Sequence, residues 1–314
     1  MRPDSASAPA RSIPYETIAW AAFAVLLIAN YFPTFKWMIA RWEETDSYMA
    51  HGWLIPPISA FLLWQERARI RSVLASASVR GWGSLSGFLL VCAGLALHVV
   101  SGMADVSSIS GITLVLVLYG FTLLRFGWPM GKVVWFPILF LLFMVPPPEF
   151  VISKMNFSLK LLASDLATGL LNLIGLPAIR QGSYMIFGEE KLAVGDVCSG
   201  LRSLLALLSL GVLYAWMIRE KGKTQVLAVL LMAIPAAIVG NGIRIFLVSL
   251  LVIWLGQAAV FRSLIGSWDL HLFTGSIIFA AAFGCLWLVT LILDRAMPQK
   301  PDFQASPEKV THDR

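Results

Sequence analysis

The chain has 314 residues, of which 58% are hydrophobic and only 13% are charged, and its mean hydropathy is +0.77. Because a soluble domain carries about 25% charged residues, this composition excludes an ordinary soluble globule and predicts an all-α polytopic membrane protein. The net charge is +6, but the sequence has no basic run with interleaved aromatic residues of the kind that nucleic-acid binding uses. We therefore expect no nucleic-acid partner. The three cysteines have no paired spacing and no CxxC or HExxH motif occurs, so we expect no disulfide framework, no metal and no other cofactor.

Apolar stretches predict about eight transmembrane helices, since about 20 apolar residues are needed to cross a bilayer. They cover residues 18–35, 52–64, 82–102, 109–124, 133–145, 199–217, 224–242 and 270–293. The first is predicted to be a retained span, because a signal peptide would have a shorter apolar core and a small-residue cleavage site. The second and fifth are short and contain or precede prolines, so they are predicted to be tilted, broken or packed inside protein. A transmembrane domain over 18–293 would then lie between tails at 1–17 and 294–314.

The distribution of Lys and Arg predicts the orientation of these spans. If the N-terminus is cytoplasmic, the segments predicted to lie inside hold 15 of the 24 basic residues. Two of the clusters fall in short loops, where the positive-inside rule is strongest. They are Arg67, Arg69, Arg71 and Arg80, and Arg219, Lys221 and Lys223. Both termini are therefore predicted to be cytoplasmic.

The longest segment predicted to lie outside runs from residue 146 to residue 197. Within it, residues 156–176 repeat apolar side chains at helical spacing with Lys160, Asp165 and Asn172 between them, which predicts a helix lying at the membrane interface. Residues 182–194 predict a short β-hairpin around a Gly-Glu-Glu turn. This periplasmic segment leads directly to Cys198.

Cys198 is the cysteine that the sequence places for chemistry. It stands where the polar stretch Gly195-Asp196-Val197 meets an apolar run, at the water-facing end of a predicted span, where a thiol can ionise and react. Cys92 and Cys285 lie inside apolar runs, where we expect the thiol to be buried and inert.

The predicted topology brings Arg244 and His271 to the same membrane face as Cys198, from three different elements. A neighbouring histidine can withdraw the thiol proton and later protonate a leaving amine, while the thiolate attacks a carbonyl and forms a thioester. Arginine stays protonated, so it can act as a fixed donor to a developing oxyanion. The trio Cys198, Arg244 and His271 therefore predicts acyl transfer.

Each of these residues also has an ordinary structural interpretation. The cysteine could be a small packing residue, the arginine an interface anchor and the histidine a helix cap. Arg202, one turn from Cys198, competes with Arg244 for its role. A charged residue flanked by apolar sequence nevertheless costs about 2.5–3.5 kcal/mol at a helix centre, which favours the functional interpretation.

Several segments together carry a resemblance to a known family. They are Asp46-Ser47-Tyr48-Met49-Ala50-His51-Gly52, Leu54-Ile55-Pro56-Pro57-Ile58-Ser59, Pro146-Pro147-Pro148, Val197-Cys198-Ser199-Gly200-Leu201-Arg202-Ser203, Asn241-Gly242-Ile243-Arg244-Ile245, and His271 with Gly275. In these segments, which follow in order from about residue 40 to residue 285, the chain resembles the exosortase/archaeosortase family of polytopic membrane proteins. The resemblance implies Cys198, Arg244 and His271 as catalytic residues. Asn241, Arg202 and His51 are second-rank candidates for orienting or binding a substrate.

The resemblance also implies a substrate class. Family substrates are secreted proteins whose C-terminus carries a sorting signal, typically Pro-Glu-Pro, then one membrane span and a basic tail. The chain would be an inner-membrane cysteine protease or transpeptidase that cuts near this signal at the periplasmic face, in a process associated with exopolysaccharide production. Some family members continue into a C-terminal accessory domain, whereas here about 20 polar residues follow Leu293, so we expect such a partner to be a separate chain.

Two other functions are compatible with the same residues. A transporter or assembly component for polysaccharide or lipid-linked sugars could use Arg202, Arg244, Asp196 and Asp269 to bind an anionic head group, but the internal repeats typical of transporters are not evident. A membrane acyltransferase could move a lipid chain through a cysteine thioester.

Overall fold

A computed structural model describes residues 15–44, 47–76, 82–188, 190–194, 200–256, 260, 263–265 and 268–296; at 15–21, 82–83, 190, 263–265 and 268–276 only the backbone is described. The chain divides into two compact units. Unit 1 comprises the residues up to Glu44 together with Gly52–Pro148, and unit 2 comprises Thr45–His51 together with Glu149–Arg314. The candidate catalytic residues all belong to unit 2.

Unit 1 is built from helices. They are α1 (Tyr15–Glu43), α2 (Ile55–Gln65), α3 (Arg67–Ala75), α4 (Trp82–Met103) and α5 (Ser107–Phe140), with a 3-10 turn at Leu141–Met144. A second 3-10 turn, Ala50–Leu54, begins in unit 2 and ends in unit 1. Hydroxyl groups link the first and fifth helices, since the Tyr31 hydroxyl lies 3.1 Å from that of Thr113. The indole of Trp42 donates a hydrogen bond to the Met144 carbonyl at 2.9 Å.

The helix α5 folds back on itself at Gly127. This glycine has φ +72° and ψ −176°, a conformation that ends one helical run and begins another. The two arms lie side by side, because a Cβ added at Gly131 would lie 2.3 Å from a Leu123 side-chain carbon, and one added at Gly111 would lie 2.5 Å from Val145. In one straight helix Gly111 and Val145 would be about 50 Å apart. The stretch is therefore an antiparallel pair with arms at 107–126 and 128–140.

The described residues of unit 2 include four long helices and a small sheet. The helices are α6 (Glu149–Leu173), α7 (Leu201–Met217), α8 (Lys223–Leu255) and α9 (Leu270–Ala296). The strands β1 (Ala178–Gln181), β2 (Tyr184–Phe187) and β3 (Glu190–Ala193) form an antiparallel sheet in that order. The strands β4 (Ser263–Ile265) and β5 (Trp268–Asp269) pair immediately before α9. A 3-10 turn at Arg219–Lys221 joins α7 to α8.

The apolar core of unit 2 explains where the sheet lies. Buried residues of α6, the sheet and the last third of α8, together with Val194 and Val260, form one cluster: Ala163, Ala167, Leu171, Ala178, Met185, Phe187, Leu192, Val194, Ile245, Val248, Val252 and Val260. Asn172 fastens α6 to β1, since its amide donates to the Ala178 carbonyl and its oxygen accepts from the Ala178 N–H. The sheet therefore packs against the part of α8 that follows Arg244.

Five helical stretches among the described residues are long and apolar enough to cross a membrane. They are Ala22–Glu43, Ser84–Met103, Ser107–Met144, Lys223–Leu255 and Ile277–Ala296. The chain is thus a mostly helical membrane protein, but the prediction of about eight spans is not supported. The predicted span at 52–64 contains an 11-residue helix, only about 16 Å long. The predicted span at 199–217 is a 17-residue helix, and the spans predicted at 109–124 and 133–145 are the two arms of the folded-back α5, which form the single stretch Ser107–Met144.

Three local expectations are corrected by the structure. The helix α1 continues to Glu43, eight residues beyond the predicted end of the first span. The helix α8 continues without interruption to Leu255, whereas the sequence predicted that the span ended at Gly242. Cys92 on α4 and Cys285 on α9 are exposed rather than buried among protein side chains.

Two local expectations are confirmed. Residues 156–173 of the predicted interfacial helix are helical, as part of α6, which starts earlier, at Glu149; its location at the membrane interface stays a prediction. The two strands predicted around the Gly-Glu-Glu turn are β2 and β3. The strand β1 was not predicted, because its four residues show no clear alternation of polar and apolar side chains.

Candidate functional site

Gly200 and Asn241 bring two distant sequence segments into contact. Gly200 immediately precedes α7 and has φ +73°, a left-handed conformation that glycine adopts at little cost. A Cβ added there would lie 2.3 Å from the side-chain Cγ of Asn241 on α8. The segment that follows Cys198 is thus packed against the segment that carries Arg244.

The first turn of α7 is fixed by hydrogen bonds to the same glycine. The Ser203 hydroxyl donates to the Gly200 carbonyl at 2.8 Å, and the Leu204 N–H donates to that carbonyl at 2.8 Å. The first N–H groups of a helix have no partner within the helix and can bind an anion or an oxyanion. The first N–H groups of α7 can therefore donate hydrogen bonds to an anion or an oxyanion.

Arg244 lies one turn beyond Asn241 on α8, beside a small cavity of about 20 Å³. Three helices line this cavity: Ser203 and Leu207 come from α7, Gly240 and Asn241 from α8, and Ile278, Phe279 and Ala282 from α9. Asn241 is 5% exposed. The cavity shows that α7, α8 and α9 converge beside Arg244.

His271 is the second residue of α9. It precedes Ile278 by seven residues, or about 10 Å of helix rise. Its side chain lies outside the described part of the chain, as does Cys198 with the whole segment 195–199. The structure thus brings together Gly200, two residues after Cys198, with the helices α8 and α9 that carry Arg244 and His271, while the distances between the three reacting groups stay a prediction.

A comparison with protein-family profiles gives a match over residues 42–288, to the family described as transmembrane exosortase (Exosortase_EpsH). The chain belongs to the transmembrane exosortase family. The match covers more than half of the chain and includes both motif segments, around Gly200 and around Asn241. Neither the comparison with curated proteins nor that with solved structures gives a match.

In this exosortase the segment that carries His51 packs inside unit 2. Tyr48 packs against an apolar cluster that includes Ile152, Leu159 and Leu201, and its hydroxyl accepts a hydrogen bond from the Asn156 amide at 3.4 Å. Ser47 is 2% exposed, and its hydroxyl accepts a hydrogen bond from the Met49 N–H. The segment is therefore part of the exosortase unit that carries the candidate site.

His51 is held in its neutral form by burial. Desolvation lowers the pKa of His51 from 6.5 to about 4, because a charged imidazolium loses hydration when it is buried. Its Nδ1 is buried and has no hydrogen-bond partner among the described residues. At neutral pH the side chain can therefore act as a hydrogen-bonding group without adding charge.

Arg202 differs from Arg244 in its surroundings. Arg202 is exposed on the first turn of α7, whereas Arg244 is partly buried and lines the cavity between three helices. A fixed donor benefits from a partly desolvated position, where its interactions with a developing negative charge are stronger. This difference favours Arg244 as the electrophilic group of the exosortase site.

The sequence did not single out Ser203 or Tyr48, although both stand in the segments that carry the family resemblance. Ser203 follows Gly200 by three residues, a spacing that predicts a hydroxyl bonded near a helix start. Tyr48 gave no signal beyond its place in a polar segment, because its packing partners lie more than 100 residues away.

Proposed function

We propose that this chain is a membrane-embedded cysteine protease or transpeptidase that acts on the C-terminal sorting signals of secreted proteins. Its family membership implies this activity. The observation that carries the proposal is the packing of Gly200 against Asn241, because it unites the start of α7, two residues after Cys198, with the helix that bears Arg244. The convergence of α9 on the same cavity supports a role for His271.

In the proposed reaction His271 takes the thiol proton of Cys198, and the thiolate attacks the scissile carbonyl. Arg244 donates hydrogen bonds to the oxyanion of the tetrahedral intermediate. The C–N bond then breaks, the leaving amine receives the proton from His271, and a thioester remains on Cys198. Water or a surface amine attacks this thioester and regenerates the thiol, which gives hydrolysis or transpeptidation respectively.

The proposed site faces the periplasm. The ends of α7 and α8 near Arg219, Lys221 and Lys223 are basic, and Lys221 forms an ion pair with Asp294 near the end of α9. By the positive-inside rule this end of unit 2 is cytoplasmic. Gly200 and the start of α9 lie at the opposite ends of these helices, so the proposed site opens to the outer face of the inner membrane.

The proposed substrate is a secreted protein that ends in a Pro-Glu-Pro type signal, one membrane span and a basic tail. A cleavage point just outside its own span would lie at the depth where α7 begins, so enzyme and substrate meet by diffusion within the bilayer. A separate accessory protein of an exopolysaccharide system is a further proposed partner.

Replacement of Cys198 tests the proposal directly. In cells that express such a substrate, we expect Cys198→Ala to leave the uncleaved form in the membrane, while Cys92→Ala, at a lipid-exposed cysteine, leaves processing at the wild-type level. Immunoblotting of membrane and periplasmic fractions measures both forms. Normal processing by Cys198→Ala would overturn the cysteine mechanism. Transport of lipid-linked sugars that survives loss of the thiol but not of Arg244 would favour a transporter instead.

A further inference from the structure

A groove runs along the exterior of unit 2 between α6, α7 and α8. Its volume is about 380 Å³, which falls in the range of ligand sites, about 300–1,000 Å³. Its walls are apolar and comprise Met155, Leu159, Leu204, Leu208, Ile234 and Ile238. Lys154 and Ser158 stand at its edge and are exposed.

The groove lies within the hydrocarbon depth of the bilayer. Counting from Lys223 at the basic end of α8, Ile234 is about 16 Å and Ile238 about 22 Å along the helix. Asn241, which contacts Gly200, is about 27 Å along it, and the hydrocarbon core is about 30 Å thick. Ile234 is 49% exposed. The groove is therefore open to lipid and ends about one turn below the start of α7.

We propose that this groove binds the transmembrane helix of the substrate. This inference rests on the proposed function, since it assigns a binding place to the span that adjoins the cleavage point. A helix seated between Leu208 and Ile238 and continuing outward leaves the groove at the level of Gly200. The groove thus delivers the residues just outside the span to the segment that contains Cys198.

The composition of the groove fits a helix better than a phospholipid. Its lining carries one charged group, Lys154 on α6. The side chains of one helix face can fill a volume of this size in the way that apolar anchors fill a groove on a partner. The other lining residues are uncharged, which suits an apolar helix whose backbone hydrogen bonds are already made.

A matched pair of tryptophan variants tests the groove. Ser158 lines it, whereas Ser153 lies on the same helix, is also exposed and does not line it. We expect Ser158→Trp to slow substrate processing about tenfold, because the indole fills part of the groove; tenfold corresponds to about 1.4 kcal/mol of binding free energy. Ser153→Trp should process at the wild-type rate. Pulse labelling of the substrate in cells gives both rates.

Disulfide cross-linking provides a second measurement that does not depend on activity. In a chain with Cys198, Cys92 and Cys285 replaced by alanine, Ile234→Cys should cross-link to a cysteine in the substrate's span when copper phenanthroline is added as oxidant. Met232→Cys should not, because Met232 is 40% exposed but lies on the opposite face of the same helix, outside the groove.

The outcomes separate the two proposals. If the wild-type chain leaves the substrate uncleaved, the proposed function fails. If the wild-type chain cleaves it, but Ser158→Trp matches Ser153→Trp and Ile234→Cys gives no cross-link, the groove inference alone is overturned. Labelling of the groove by a photoreactive acyl-chain phospholipid, together with unchanged processing by Ser158→Trp, would identify it as a lipid site and also overturn the inference.

Discussion

Gly200 is the residue on which the candidate site depends most directly. Gly200→Ala combines a left-handed backbone, which costs a residue with a Cβ about 1–2 kcal/mol, with a clash against Asn241. We expect processing to fall well below the wild-type rate, while the protein still inserts and can be purified. The matched control is Gly169→Ala, because a Cβ at Gly169 meets nothing within 4 Å. Wild-type activity of Gly200→Ala would contradict the packing described for the start of α7.

The lowered pKa of His51 predicts that the stability of the protein depends on pH. The unfolded chain protonates this histidine near pH 6.5, whereas the folded chain does so only near pH 4. Above pH 6.5 both states are neutral at this position and the stability is unaffected. As the pH falls from 6.5 towards 4, the unfolded chain binds more protons, so stability falls, by at most about 2 kcal/mol at pH 5.

The measurement is the thermal unfolding midpoint in detergent at pH 7 and pH 5. His51→Gln, which does not titrate, should lose less stability than the wild type between these two values. An equal loss in the two proteins would show that His51 is not held neutral by burial.

At the level of elements, α4 and α5 pack so closely that a glycine is required. A Cβ at Gly87 would lie 2.1 Å from the backbone nitrogen of Leu124, and one at Gly120 would lie 3.0 Å from that of Val91. Small residues at facing positions let two membrane helices approach in this way. Backbone atoms cannot rotate out of the way as side chains can, so substitutions at these positions force the helices apart.

We therefore expect Gly87→Ala to lower the unfolding free energy in detergent by about 1–3 kcal/mol, the usual cost of overpacking. Gly102→Ala provides the control on the same helix, because a Cβ there meets nothing within 4 Å, and it should be neutral or slightly stabilising. Thermal or denaturant unfolding of the two purified variants tests the difference. Equal stabilities would be incompatible with the close helix packing.

The length of α8 illustrates how packing decides where a helix ends. The polar residues Asn241 and Arg244 predicted an end at the membrane surface, but the helix continues to Leu255. It does so because Ile245, Val248 and Val252 bury their side chains against α6 and the sheet. Gly242 leaves room for Leu166, whose side chain a Cβ would meet at 2.3 Å. These partners lie 50 or more residues away in the sequence.

For the whole molecule, the proposed orientation makes a labelling prediction. Gln181 is exposed on β1, and Glu220 is exposed in the basic turn between α7 and α8. In a chain without its own cysteines, a membrane-impermeant thiol reagent added to spheroplasts should label Gln181→Cys and not Glu220→Cys. After the membrane is permeabilised, both should react. The reverse pattern would place the site on the cytoplasmic side.

The sequence by itself determined the class of the protein and its candidate residues. Composition alone requires a membrane environment, apolar run lengths give most of the helices, and the motif segments around Cys198 and Asn241 indicate the family. These features are local, because burial in lipid and helix formation depend on residues close together in the chain. The sequence could also predict the strands on either side of the Gly-Glu-Glu turn.

Only the tertiary structure decided which helices pack together and where they end. The fold-back of α5 at Gly127, the continuation of α8 beyond Arg244 and the contact between Gly200 and Asn241 all depend on partners far away in the sequence. So does the groove beside α6, whose walls come from three helices. A periodic pattern tells which residues are apolar, but it does not tell which apolar surface will cover them, since that is settled by the packing of complete elements.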